Sequence, residues 1–226
     1  MTDVKILING DKAVSVEFGQ EISLHINHKV TALKTVLESE KITGIEELIP
    51  TYCSLLIIYD PLILDYDTLK DKLNLLLDKL DSVSLPEKRV IEIPVAYGGE
   101  YGPDLSEVAA LHNMTPEEVI RLHAAPEYPI YMLGFVAGFP YLGGMNKAIA
   151  TPRKKTPRLR IVSGSVGIAG EQTGIYSVES PGGWQIIGRT PLKLYDATRE
   201  KPVLLEAGQY IRFKPISDDE FKAMME

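Results

Sequence analysis

Leu133–Gly144, LGFVAGFPYLGG, is the stretch on which the architecture of this 226-residue chain turns. Gly134, Gly138, Gly143 and Gly144 stand there among Phe135, Phe139, Pro140 and Tyr141. Glycine admits positive φ and close approach of other groups, and proline fixes φ, so the run reads as a shaped, aromatic-walled loop. The same composition returns at Gly164–Gly174, GSVGIAGEQTG, and at Ser180–Gly188, SPGGWQIIG, which holds the sole tryptophan, Trp184. Three such loops in one half of the chain are expected to converge on one pocket.

Working outward, the segments around these loops are short β-type runs separated by Gly and Pro. They are Pro129–Phe135, Leu159–Ser163, Ser165–Ala169, Ile175–Val178, Trp184–Gly188, Leu192–Tyr195, Val203–Leu205 and Gln209–Pro215. With the alternating run Val90–Val95 before them, this spacing predicts a closed or nearly closed β-barrel. Asp104 is positioned to cap a helix through His112, and Thr115-Pro116-Glu117-Glu118 is a capping box opening a helix to about Ala124. Ser217-Asp218-Asp219-Glu220 opens a terminal helix in the same way.

Further upstream the pattern changes. Val4–Ile8 and Val14–Phe18 flank Asn9-Gly10-Asp11, a hairpin signal. Ile22, Ile26, Val30, Leu33 and Leu37 recur at helical spacing, and Gly44 ends that run. Ile45–Ile49 and the apolar Cys53–Tyr59 read as strands, the second central. A second helix carries Leu69, Leu73, Leu76, Leu77 and Leu80, with Asp65 or Asp67 as its cap. The order ββαββα predicts an α+β sandwich of ferredoxin-like kind. The polar run Asp81–Lys88 marks a boundary, giving an α+β domain over 1–84 and a mainly-β domain over 89–226.

Composition narrows the function classes. A net charge of −7 gives no electrostatic case for nucleic acid or an anionic membrane. Cys53 is the one cysteine, so no internal disulfide and no cysteine metal cluster can form, and its apolar run is the setting of a structural thiol. The opening MTDVKILING lacks an apolar core of signal-peptide type, no run has the ~20 apolar residues of a membrane span, and a cytoplasmic protein is expected.

The chemistry-bearing residues leave alternatives open. Gly164, Gly167 and Gly170 have no following Lys-Ser/Thr, so they are not a P-loop; their amides suit an anion, or simply turns between strands. His25, His28, His112 and His123 lack ligand partners at metal-binding spacing, and no metal is expected. His123, just before the glycine–aromatic loop, is either a general acid–base or a side chain facing its helix dipole. Arg153-Lys154-Lys155-Thr156-Pro157-Arg158-Leu159-Arg160, with Arg189, is an anion-facing cluster or a solvated loop.

Five segments in order, PVAYGGEYGPDL (94–105), LGFVAGFPYLGG (133–144), TPRKKTPR (151–158), GSVGIAGEQTGIY (164–176) and SPGGWQIIGRTP (180–191), resemble the family of KipI and the 5-oxoprolinase B subunit, also described as allophanate hydrolase subunit 1. The resemblance covers nearly the whole chain. It implies a cyclophilin-like barrel and a non-autonomous subunit of an ATP-dependent hydrolase that opens the lactam of 5-oxoproline to glutamate. It also implies two partners, a protein of the KipA / 5-oxoprolinase C-subunit type and a LamB-type A subunit, with ATP used by the assembled complex. The alternative the family carries is an antikinase that binds a sensor histidine kinase; the barrel shape alone would also allow a prolyl isomerase.

On this reading Arg153, Arg158 and Arg189 are candidates to clamp the substrate carboxylate. Gln172, Thr173 and Tyr176 with the loop amides are candidates to face the amide oxygen. The expected substrate-binding surface also includes Phe135, Gly138, Phe139, Pro140, Tyr141, Gly174, Gly183 and Trp184, with His123 as a further catalytic candidate. Two departures from the family pattern stand out: Ala137 replaces a proline in the first loop, and Ile161-Val162-Ser163 replaces V-P-A before Gly164. Each lost proline loosens a loop end by up to about 1 kcal/mol.

Overall fold

The computed structural model describes residues 4–80, 83 and 87–225. They divide into two compact units, Met1–Glu87 and Lys88–Glu226. Most of the linker read from the sequence, residues 81, 82 and 84–86, lies outside the described residues.

In the first unit, β1 (Lys5–Ile8) and β2 (Ala13–Glu17) form a hairpin through Asn9-Gly10-Asp11. Gly10 takes φ 72°, and the Asn9 N–H donates to the Ala13 carbonyl at 2.8 Å. With β3 (Ile45–Pro50) and β4 (Ser54–Tyr59) they make an antiparallel sheet ordered β1-β2-β4-β3. One face of the central strands, Val14, Val16, Leu55, Ile57 and Tyr59, is buried. The alternate residues of β4 are only half-buried, so the expected all-apolar central strand is one-sided.

Helix α1 (Leu24–Glu40) begins where the Ser23 hydroxyl accepts the Ile26 N–H at 3.2 Å, and it buries Ile26, Val30, Leu33 and Leu37. Ile22, expected on that face, precedes the cap and is exposed. Helix α2 (Tyr66–Leu77) is capped by Asp65 and buries Leu69 and Leu73. Emptying one such site, as in Leu33→Ala, costs ~2–5 kcal/mol.

The second unit is a closed barrel. Its strands are β5 (Val90–Tyr97), β6 (Tyr128–Leu133), β7 (Pro140–Leu142), β9 (Ser165–Ala169), β10 (Gln172–Ile175), β12 (Gln185–Arg189) and β13 (Tyr210–Ile216). They close in the order β10-β7-β6-β13-β5-β12-β9, with β13 and β5 parallel. Inward residues such as Ile93, Val95, Ile130, Val166, Ile168, Ile175, Ile211 and Phe213 fill the interior. Helices α3 (Leu105–Leu111) and α4 (Pro116–Ala124) pack on it, and the Thr115–Glu118 capping box opens α4. Helix α5 (Asp218–Met225) starts at the Ser217–Glu220 pair and sets Phe221 against Tyr101, ring centroids 4.3 Å apart.

Several expected strands move. Leu192–Tyr195 and Val203–Leu205 form only a bridge, Tyr195 to Val203, flanked by the Leu204 N–H to Leu194 carbonyl and Asp196 N–H to Pro202 carbonyl bonds, and Pro202 has no N–H to return to Asp196. β8 (Arg158–Ile161) leaves the barrel and pairs with β11 (Ser180–Gly182) as a separate ribbon. The expected strand Ile175–Val178 begins three residues earlier, since Gly170 at φ 59° turns β9 straight into β10. Among the described residues no helix is long and apolar enough to cross a membrane.

Candidate functional site

The site is built around Phe139. Buried to 2% exposure, its ring meets Tyr141, Tyr176, Trp184 and Phe135 edge-on at centroid distances of 5.1, 5.4, 5.5 and 5.7 Å. These residues come from the first and third glycine-rich segments and, in Tyr176, from just beyond the second. Two glycines permit the packing: a Cβ on Gly174 would lie 2.9 Å from the Phe139 ring, and one on Gly182 would lie 2.2 Å from the Tyr176 hydroxyl. Burial pushes the Tyr176 phenol up, against the Trp184 backbone N–H and the charges of Arg153 and Arg158.

Phe135 differs from the rest of the cluster. It adopts φ 65° and is 62% exposed, held at a tight turn where the Val136 N–H donates to the Gly134 carbonyl at 2.7 Å. Left-handed backbone at a non-glycine residue costs about 1–2 kcal/mol. The strain turns an aromatic ring out to the mouth of the pocket, and outliers of this kind concentrate at functional sites.

The resulting pocket has a volume of about 280 Å³ and is lined by Phe135, Phe139, Tyr141, Arg153, Pro157, Tyr176, Pro181, Gly182, Gly183 and Trp184. Among these side chains there is no carboxylate, histidine, thiol or aliphatic hydroxyl; the one formal charge is Arg153. A small apolar volume with a single cation at its rim is suited to holding a ring that carries one negative charge.

The basic segment is divided by one buried carboxylate. Asp104, 3% exposed, accepts from Arg158 Nη2 at 2.7 Å and Lys154 Nζ at 2.8 Å through Oδ1, and from the Ile186 N–H at 2.6 Å through Oδ2. Burial opposes ionisation of this carboxyl, but Arg158, Lys154 and the Ile186 amide together hold it below its usual value. Lys154 also reaches Glu107 and Gln185, at 3.2 and 3.3 Å, and Arg158 donates to the Trp184 carbonyl at 3.4 Å. Asp104 does stand at the start of α3, but its side chain makes no cap bond. The carboxylate instead ties the basic loop to β12.

The expected site residues therefore separate. Phe135, Phe139, Tyr141, Arg153, Tyr176, Gly183 and Trp184 meet in the pocket. Arg158 stands behind it, bound to Asp104, and Arg189 donates to the Ser163 carbonyl at 2.9 Å with its guanidinium 5.8 Å from the Phe221 ring. Gly138, at φ 77°, backs onto Leu194 and Val203, while Pro140 begins β7 and Gln172 begins β10. Thr173 points inward, and Gly174 lies beneath Phe139.

His123 stands in the last turn of α4, at the helix end expected for it, but its ring is fully buried against the barrel and not at the glycine–aromatic loop. Its Nε2 is 2.8 Å from Thr173 Oγ1, and its Nδ1 is 2.8 Å from the Tyr97 hydroxyl. Thr173 Oγ1 donates to the Gly167 carbonyl at 3.0 Å, so Nε2 carries the proton and Nδ1 accepts from Tyr97. The ring stacks on Phe213 at 4.5 Å, and burial lowers its pKa to about 3. Pro157, Pro181 and Gly182 line the pocket without having been expected to; their position beside Gly183 and the basic run was the available signal. Among the described residues no three His, Cys, Asp or Glu side chains are grouped to hold a metal.

Comparison with known proteins adds an independent line. Residues 4–205 match the family model for the carboxyltransferase domain, subdomain C and D. The B subunit of 5-oxoprolinase from Bacillus subtilis (strain 168) is 43% identical over 227 residues, covering 96% of this chain and 95% of that one. The protein of the same name from Haemophilus influenzae is 49% identical over 158 residues, 70% of this chain and 74% of that one. Among solved structures, TTHA0988 superposes with a TM-score of 0.79 at 38% identity over 92% of this chain; that chain is longer, and 40% of it is spanned. With both the sequence match and the barrel in agreement, this chain belongs to the carboxyltransferase domain family, subdomain C and D, together with the 5-oxoprolinase B subunits.

Proposed function

We propose that this chain is the B subunit of an ATP-dependent 5-oxoprolinase and that its aromatic pocket receives 5-oxoproline. The observation that carries the reading is the pairing of a 280 Å³ aromatic pocket with the exposed guanidinium of Arg153, which has no ion-pair partner among the described residues. Small-molecule sites run from ~300 to 1,000 Å³, so this pocket suits a compact ring and not a nucleotide. The aromatic faces pack the five-membered lactam, and Arg153 takes its carboxylate in a charge-assisted pair. Arg158 and Arg189 already have partners within the protein and leave that task to Arg153.

The lining holds no carboxylate, histidine, thiol or aliphatic hydroxyl, and burial raises the Tyr176 phenol, which keeps it protonated and unsuited to act as a base. The protein therefore binds and orients substrate, while partners of the 5-oxoprolinase C and A types complete the chemistry and ATP is consumed by the assembly. The near-full-length relation to the Bacillus subtilis protein supports this division. The same reading takes the sheet order β1-β2-β4-β3 as a permuted ferredoxin-like sandwich and the barrel as cyclophilin-like.

The test is co-expression with the C- and A-type subunits. The complex is expected to hydrolyse ATP in a 5-oxoproline-dependent manner, with the purified chain binding 5-oxoproline but releasing no glutamate. Glutamate formation by the chain alone would overturn the division of labour, and absence of 5-oxoproline binding would overturn the pocket assignment.

A further inference from the structure

A second cavity adjoins the aromatic pocket and has no role in the function proposed above. It is a groove of about 740 Å³ between α3 and the basic loop, and Arg153 belongs to its wall as well as to the pocket's. At more than twice the pocket's volume it falls in the range of sites for nucleotide-sized ligands. Its lining is mainly apolar, with Leu111 as an exposed edge, and its polar groups are Gln185, the 151–156 loop and Glu107, whose carboxylate is paired with Lys154.

The cations on this wall are not equivalent. Lys154 is committed to Asp104, Glu107 and Gln185. The side chains of Arg153 and Lys155 are exposed and form no ion pair or hydrogen bond among the described residues. Elsewhere on this face the arginines have partners: Arg158 pairs with Asp104, and Arg160 with Glu179 at 2.7 Å. An otherwise acidic protein thus leaves two neighbouring positive charges uncompensated in one concave site. Guanidinium and ammonium together suit an anion bearing several charges on closely spaced oxygens. A single carboxylate needs only one of them.

We propose that this groove binds the polyphosphate of a nucleoside triphosphate, with Lys155 and Arg153 as its cationic contacts. Arg153, at the junction, then faces both anions, so that the phosphate chain ends beside the ring held in the aromatic pocket. This rests on the lactam-binding reading of that pocket, but it makes a separate claim about Lys155, which the pocket does not use. A protein segment rich in carboxylates is the competing occupant. A concave site of this volume favours a small molecule over the ~1,200 Å² or more buried by a stable protein interface.

Trp184, the sole tryptophan, lines the aromatic pocket beside Gln185 of the groove and reports on both by fluorescence. The purified full chain is titrated with tripolyphosphate, with ATP and with 5-oxoproline, at low and moderate salt. Saturable tripolyphosphate binding is expected, weakening with salt as exposed charge pairs do. Lys155→Ala is expected to weaken tripolyphosphate about tenfold, the low end for one charge-assisted contact, and to leave 5-oxoproline unchanged. Arg153→Ala should weaken both ligands. Lys147→Ala, which removes an exposed lysine engaged with Glu171, should weaken neither.

If 5-oxoproline binds but tripolyphosphate does not, or binds equally well to Lys155→Ala, the groove proposal is overturned and the pocket reading stands. If tripolyphosphate binds as described and 5-oxoproline does not, the pocket reading fails instead. If a poly-glutamate peptide binds more tightly and displaces tripolyphosphate, the groove is a protein-docking site and the proposal falls.

Discussion

Arg153, Asp104 and His123 show how three charged or titratable residues in one barrel come to do different work. Asp104 is buried against two cations that are themselves partly exposed, so removing its charge leaves Lys154 with only Glu107 and Gln185, leaves Arg158 with only the Trp184 carbonyl, and strips the Ile186 N–H of its acceptor. Loss of one member of a fully buried pair costs ~3–5 kcal/mol; with cations about a quarter exposed, Asp104→Ala is expected to cost about 2–3 kcal/mol in urea unfolding. Because its folded pKa is lowered, the stability it contributes is present above the ordinary carboxylate value of ~3.9 and is lost as pH falls below that value. His123 acts in a different window. The unfolded chain takes up a proton near pH 6.5, but the folded one does not until about 3, so acid favours unfolding across that interval. The expected slope is about 1.4 kcal/mol lost per pH unit below ~6. Urea midpoints at pH 7.0, 6.0 and 5.0 measure it, and His123→Gln should flatten the dependence while lowering stability at pH 7. An unchanged slope in that variant would assign the acid sensitivity to other groups.

At the scale of elements, the glycine-rich loops are what bring the site together, and they do so through absent side chains. Gly182→Ala places a methyl group 2.2 Å from the Tyr176 hydroxyl and 2.8 Å from Ile161 Cδ1. Overpacking of this kind costs typically ~1–3 kcal/mol, and the Tyr176 ring must shift into the pocket to relieve it. The expected result is a lower melting temperature and a weaker affinity for 5-oxoproline together; Gly99→Ala, with open space around its site but φ 52°, should lower stability without the binding loss. Much of this is legible in the sequence. Phe139, Tyr176 and Trp184 meet because each lies close to glycines whose missing side chains leave room for the rings. The capping boxes at Thr115 and Ser217 are legible for the same local reason. What cannot be read is long-range pairing. Nothing near Asp104 in the chain says that its carboxylate will meet Arg158, or that His123 will enter the barrel to meet Thr173, since those partners are fifty or more residues away. The segment of β8 looks like a barrel strand because a strand's sequence records its pleat and not its neighbour, and its partner β11 lies in a stretch that reads as a glycine-rich loop.

At the scale of the whole molecule, the proposed subunit binds substrate and leaves the reaction to be completed in an assembly. The described lining side chains all come from the barrel unit and include no carboxylate, histidine, thiol or aliphatic hydroxyl. The most direct measurement is the KM for 5-oxoproline in ATP hydrolysis by the co-expressed complex, comparing wild type with Arg153→Ala. Loss of one charge-assisted contact of ~1.5–3 kcal/mol predicts a rise of about tenfold or more, with no change in the binding of 2-pyrrolidinone, the same ring without its carboxylate. An unchanged KM in Arg153→Ala would contradict the account.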